Sequence, residues 1–204
     1  MKTSRIVFLT GAVLLLASCS TNQVAYVNPS VQPGVQPSTL ALEYQDFKMA
    51  ADSLVRDLLA SPILNRPGGG RYVVAISRII NDTTQDIDVD QLLKDIRIAL
   101  LKSGKAVVTT YIQAGGPEDP MTGEVRKLRS NDEINPKTLP PKRSIVAPDY
   151  ALSGKIVQRV YFLGDRKKVD YYFILTLTDL RTGLAVWEGE KVISKVSGKN
   201  NYTW

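Results

Sequence analysis

The sequence predicts an α+β fold, with two or three helices packed on a small mixed, mostly antiparallel sheet that follows a signal peptide and a disordered tether. Two segments of the first half carry apolar residues at helical spacing, and three segments of the last third carry strand patterns separated by turn residues. Nothing in that last third is long enough for a helical crossover between parallel strands, so a purely parallel sheet is disfavoured.

The chain opens with Lys2 and Arg5, an apolar run from Ile6 to Ala17, and Leu16-Ala17-Ser18 before Cys19. This is the charged, apolar and small-residue order of a secretory signal, and at about 12 residues the apolar run falls short of the roughly 20 needed to span a bilayer. Cys19 is the only cysteine, so it has no disulfide partner within the chain. A thiol at the end of a Leu-small-small signal is the nucleophile that accepts a diacylglycerol. The sequence therefore predicts cleavage after residue 18 and lipidation at Cys19, with Ser20 in place of Asp following the outer-membrane sorting convention. Removing Lys2 and Arg5 lowers the net charge from +6 to about +4.

From Ser20 to Leu42 the chain has no charged residue and three prolines, Pro29, Pro33 and Pro37, which reads as an extended linker. Residues 19–42 are thus expected to tether a head formed by 43–204. Fully stretched, the steps from Cys19 to Glu43 span on the order of 80 Å at about 3.3–3.6 Å per residue.

The head begins with Phe47, Ala50, Ala51, Leu54, Leu58 and Leu59, one helical face that ends at Ser61-Pro62. After Pro67-Gly68-Gly69-Gly70 the run Tyr72 to Ile76, with Ile79 and Ile80, is apolar on both faces and reads as an interior strand. Asn81 to Thr84 turns the chain. Asp88 or Asp90 caps a second helix with a Leu92, Leu93, Ile96, Leu100, Leu101 stripe, which Gly104 ends. A strand is expected over Ala106 to Ile112, then an irregular stretch from Gln113 to Asp149 with six prolines and one short helix near Gly123 to Asn131. Strands over Tyr150 to Leu163, Lys168 to Asp179 and Leu184 to Val196 complete an antiparallel meander, with turns at Gly164-Asp165 and Arg181-Thr182-Gly183.

Catalytic constellations are not evident. With no histidine, the commonest general base and zinc ligand are missing. The glycine run precedes a strand, not a helix, and has no Gly-Lys-Ser/Thr, which makes it a flexible turn. Asp82, Asp86, Asp88 and Asp90 lack the glycine and final Glu of a calcium loop. Glu118 with Asp119, and Asp132 with Glu133, are carboxylate pairs whose approach a sequence does not show. Neither Ser153-Gly154-Lys155 nor Ser197-Gly198-Lys199 has Ser-x-x-Lys spacing. The expectation is a non-enzyme with no cofactor and no metal.

Charge is uneven. Arg126, Lys127, Arg129, Lys137, Lys142 and Arg143 face only Glu124, Asp132 and Glu133 in the same segment, and Arg166-Lys167-Lys168 sits at a hairpin tip. Such a basic cluster is a solvated face or a docking patch for an acidic partner, and Arg126, Arg129, Lys142 and Arg143 are the partner-binding candidates. Nucleic acid does not suit an exported, lipid-anchored chain.

The order and spacing of the helix at Tyr44 to Ser61, Val73 to Thr83 with Asn81-Asp82-Thr83, Ser103-Gly104-Lys105, and Asp179-Leu180-Arg181-Thr182-Gly183 leading to Trp187-Glu188-Gly189 resemble the LpoB family of outer-membrane lipoproteins. The resemblance implies a monomeric periplasmic head, anchored through lipid to the outer membrane, that docks on a noncatalytic module of a bifunctional penicillin-binding protein. Peptidoglycan synthesis would then rise because the head binds the active form of the synthase better than the idle one. The tether here is shorter and less proline-dense than in the best-known members, and the Gln113 to Asp149 segment is longer, so no partner contacts are carried over. Two other readings are a curli-transport-like assembly lipoprotein, which the charged tip disfavours, and a passive peptidoglycan-binding lipoprotein.

Overall fold

A computed structural model describes residues 24–26, 37, 39–114 and 117–197. Leu16, Ala17, Ser18 and Cys19 lie outside them, as does most of the expected tether. Six strands and three helices follow in the order β1 (Ala25–Tyr26), α1 (Tyr44–Ala60), β2 (Tyr72–Asp82), α2 (Val89–Lys102), β3 (Ala106–Val108), α3 (Met121–Lys127), β4 (Tyr150–Leu163), β5 (Arg166–Asp179) and β6 (Ala185–Val196). The sheet order is β1-β6-β5-β4-β2-β3, with β2 parallel to both β3 and β4 and the other pairs antiparallel. This is the expected α+β architecture, and β2 is interior as its two-sided apolar pattern requires.

Helices α1 and α2 pack on each other and on one face of the sheet. That face carries Val74, Ile76, Leu152, Ile156, Tyr171, Phe173, Leu175, Leu177 and Ile193, all at most 2% exposed, with Phe47 of α1 edge-on to Phe173. The other face carries Arg78, Ile80, Lys155, Ile174, Glu188 and Glu190, and among the described residues no helix covers it, although Lys155 meets Asp82 at 2.8 Å. Local chemistry sets the helix ends. Asp88 Oδ1 accepts the Asp90 N–H at 2.9 Å to start α2, and Lys105 Nζ donates to the Leu59 carbonyl at 2.8 Å near the end of α1.

The start of α1 is fastened to the far side of the sheet by a buried cation. Lys195 of β6 is wholly inaccessible and places Nζ 2.6 Å from Asp46 Oδ2, 3.2 Å from Glu43 Oε2 and 2.6 Å from the Ala41 carbonyl. Asp46 is equally buried and also accepts the Glu43 N–H at 2.8 Å, closing one half of a capping box. Beside it Tyr171 donates to the Leu40 carbonyl at 3.0 Å and accepts from Gln85 Nε2 at 2.5 Å, while Gln85 Oε1 takes the Leu42 N–H at 2.9 Å. At the other end of α1 the Trp187 indole donates to Asp57 Oδ2 at 3.2 Å. Its ring lies over Gly189, where an added Cβ would meet ring carbons at 2.6 Å, so only glycine fits there.

Two expectations change. The strand from Ala106 stops at Val108 rather than Ile112, because the Thr109 hydroxyl accepts the Tyr111 N–H at 3.3 Å and the local turn displaces the ladder. Residues Val24 to Tyr26, placed in the tether by composition, add a two-residue strand to β6, with Val24 3% exposed. The third helix falls at Met121–Lys127 and continues as a 3₁₀ turn over Leu128–Ser130, close to the expected Gly123 to Asn131.

Removing one member of a buried ion pair leaves the other charge uncompensated, at about 3–5 kcal/mol. Lys195→Met is expected to lower the unfolding free energy by that amount in urea titrations, and Asp46→Leu added to it is expected to recover most of the loss. Burial raises the Tyr171 and Tyr150 hydroxyls to about 12. Their stabilisation is complete below the unfolded value near 10 and is lost as pH rises toward 12. The urea midpoint should therefore fall as pH rises from about 10 toward about 12, with a shallower fall in Tyr171→Phe.

Candidate docking surface

Between β3 and β4 the chain builds a lobe with little apolar burial of its own. None of the residues of α3 is buried, so this helix depends on side-chain staples. Arg126 donates to the Thr122 carbonyl at 2.8 Å and to Ser144 Oγ at 3.1 Å, joining α3 to the returning segment of the lobe. Arg129 donates to the Arg126 carbonyl at 3.3 Å and to the Pro140 carbonyl. Lys127 pairs with Glu124 at 2.6 Å on the surface. A concavity of about 540 Å³ opens between the turns, lined by Arg129, Asp132, Ile134, Leu139, Pro140 and Lys142.

Contacts at both of its ends hold the lobe to the body. Arg97 of α2 forms an ion pair with Glu118. Asp149 Oδ2 accepts the Val73 N–H at 2.9 Å and meets Arg66 Nη1 at 3.3 Å, and Asp149 N–H bonds the Val73 carbonyl at 2.8 Å. Arg66 in turn lies 4.9 Å above the Tyr72 ring, which packs on Tyr150 at 4.8 Å. The lobe thus leaves from β3, the sheet edge opposite β1, and rejoins at the opening of β4.

All four basic residues singled out from the sequence belong to this one lobe, but in two roles. The guanidinium groups of Arg126 and Arg129 are spent on backbone and hydroxyl acceptors, which shape the concavity. Lys142 and Arg143 are exposed, as is Lys137, and Arg143 takes a left-handed backbone with φ of 59°, the one non-glycine among the described residues to do so. No periodicity or charge count in the sequence separates a stapling arginine from a presented one.

A second surface was hidden by its charges. The β4–β5 hairpin projects beyond the helices, and Val160, Tyr161, Phe162 and Leu163 are 41, 42, 74 and 54% exposed. The four-residue apolar run ahead of Gly164-Asp165 was the available signal, and Arg166-Lys167-Lys168 drew attention from it. Among the described residues no group of three His, Cys, Asp or Glu is placed to hold a metal ion, and no helix is long and apolar enough to cross a membrane.

A family model described as peptidoglycan-synthase activator LpoB matches residues 46–193, which takes in both helices of the core, the lobe and the hairpin. The chain belongs to the LpoB family. Its family-level role is regulatory, the activation of a peptidoglycan synthase, and the family is not a catalytic one. No curated protein matches the sequence. Among solved structures, the LpoB C-terminal domain from Salmonella enterica is 16% identical over 72% of this chain and 97% of its own, with a TM-score of 0.40. Escherichia coli LpoB, solved by NMR, is 12% identical over 96% of this chain and 83% of its own, with a TM-score of 0.38. Lipoprotein GNA1162 from Neisseria meningitidis is 15% identical over 65% and 87%, with a TM-score of 0.33.

The staples lead to a local effect. Arg129→Ala is expected to speed amide exchange and limited proteolysis across residues 128–145 by about tenfold, the equivalent of about 1.4 kcal/mol of local opening. The global urea midpoint should stay within error, and Lys137→Ala should change neither.

Proposed function

We propose that this protein is an outer-membrane lipoprotein whose periplasmic head binds and activates a bifunctional penicillin-binding protein. The observation that carries the reading is the family match over residues 46–193, which spans the whole core and lobe. The signal sequence with its single Cys19 supports lipidation after cleavage at residue 18, and residues 19–42 would supply the link to the head. No catalytic residue, metal or cofactor is assigned. The head works as a monomer, and its ligand is another protein.

The lobe is the docking element in this reading. Arg126 and Arg129 hold its shape, and Lys137, Lys142 and Arg143 present charge to an acidic surface of the synthase. Charge complementarity of this kind acts first on encounter, so association is steered by the field and weakened by salt. Activation follows if the docked head favours the polymerising form of the synthase. A fivefold stimulation requires only about 1 kcal/mol of differential binding between the two forms.

The mature chain, added to the organism's bifunctional penicillin-binding proteins with lipid-linked precursor, is expected to accelerate glycan polymerisation by one of them. Lys142→Glu combined with Arg143→Glu should cut that stimulation at least fivefold at low salt while leaving the urea midpoint unchanged. Binding to purified cell wall with no rate change in any synthase would replace this reading with passive wall attachment.

A further inference from the structure

The exposed apolar tip of the β4–β5 hairpin lies at the end of the sheet from which the chain leads back to Cys19. β1 runs antiparallel to β6 with Ala25 opposite Val196, which sets Val24 level with Ser197. Ser197 is fixed beside Lys167 by two hydrogen bonds, its N–H to the Lys167 carbonyl at 2.8 Å and the Lys167 N–H to its hydroxyl at 2.9 Å. Lys167 in turn pairs with Phe162. Three strand spacings of about 4.8 Å thus separate Phe162 from Val24 by about 14 Å. Five residue-to-residue steps lead from Cys19 to Val24, and such a length reaches at most about 18 Å. With Val24 buried and β1 paired, a lipid on Cys19 holds this end of the sheet within reach of the bilayer surface.

We propose that the tip is a second membrane contact, inserting Phe162 and Leu163 into the anionic bilayer that holds the lipid. The inference rests on the lipidation proposed above. Register puts Phe162 on the helix-side face opposite Lys167 and Leu163 on the open face opposite Arg166, so each face of the hairpin's end sets one exposed apolar side chain beside one cation. The last two residues of β4 span about 7 Å, the depth to which interfacial segments bury their apolar side, while the long Arg166 and Lys167 side chains opposite them can bend back to the headgroups and the Gly164-Asp165 turn closes the end. Other groups of the hairpin suit the same surface. Tyr161 sits one residue back, with Lys168 Nζ 5.4 Å from its ring and 2.9 Å from Asp170, an aromatic and a cation at headgroup depth. Arg159, Arg166 and Lys167 add positive charge against the single turn carboxylate of Asp165, which favours anionic headgroups. A protein partner strand would want a neutral, flat edge, whereas exposed apolar side chains interleaved with cations suit an anionic lipid surface. The lobe joins β4 at Tyr150 and the tip ends it at Leu163, a separation of about 45 Å along the strand, so contact at the tip leaves the lobe facing away from the membrane.

Because acylation consumes Cys19, a cysteine placed at Asp165 is the one free thiol of the mature lipidated chain. An environment-sensitive fluorophore there, in vesicles of phosphatidylethanolamine and phosphatidylglycerol carrying nitroxide-labelled acyl chains, is expected to be quenched at least threefold more than the same label at Thr182, in the turn at the other end of the sheet. Phe162→Glu with Leu163→Glu should abolish that difference while the protein still floats with the vesicles and keeps its urea midpoint. Wild-type protein that floats with equal quenching at 165 and 182 overturns the tip contact and leaves lipidation standing. Protein that does not float overturns both. Self-quenching at 165 that grows with protein concentration and ignores vesicles assigns the tip to a second copy instead.

Discussion

The fold depends on a lysine that has no access to water. Lys195 comes from the last strand, yet it satisfies a carboxylate and a carbonyl that belong to the first turn of the first helix and the residues leading into it. The desolvation of a buried ammonium is offset only when several oxygens converge on it, and Asp46, Glu43 and Ala41 do so from one short stretch of chain. The entry of α1 is therefore positioned by β6, and with it the helix face that sets Phe47 on Phe173 and Leu54 beside Gly189. The same stretch is gripped a second time through Gln85 and Tyr171. Chain entry, helix start and sheet edge form one polar cluster beside an otherwise apolar core, which gives α1 a single register on the sheet where apolar packing alone would tolerate sliding.

Most of the architecture was legible because local and global signals agree. The apolar stripes of α1 and α2 and the turn residues around β4, β5 and β6 each have a cause within a few residues. Asp179 Oδ1, for example, accepts the N–H groups of Arg181 and Thr182, whose backbone bonds hold its carboxyl below the ordinary range, and Gly183 follows with φ of 73°. The segments that carry the family resemblance prove to be such fixtures. Asn81 caps its own turn, Lys105 holds the end of α1, and Trp187 covers Gly189. They mark the fold.

What sequence reasoning missed depends on distant contacts. Composition made Val24 to Tyr26 a linker, since three uncharged residues among prolines show no period, and only the open edge of β6 gives them a place. The basic cluster looked uniform because an arginine that donates to Pro140 and one that faces water contribute the same charge. In the lobe, charge density shows where cations are, and hydrogen bonding decides which of them shape the surface and which are offered to a partner.

The pairing of β1 also sets how far the head can travel. While β1 is in the sheet, four residues separate Cys19 from the body. Once it is released, the stretch to Leu40, whose carbonyl Tyr171 holds, spans on the order of 70 Å. A two-residue strand with one buried valine is a light fastening: full burial of a valine contributes about 1.5–3 kcal/mol at most, and the entropy regained on release opposes it. Reach is therefore an equilibrium and not a fixed length. With Cys19 lipidated and the lobe docking as proposed, a head with its tip on the membrane and a head extended toward a distant synthase would be two states of the same chain, separated by a contact small enough for partner binding at the lobe to shift.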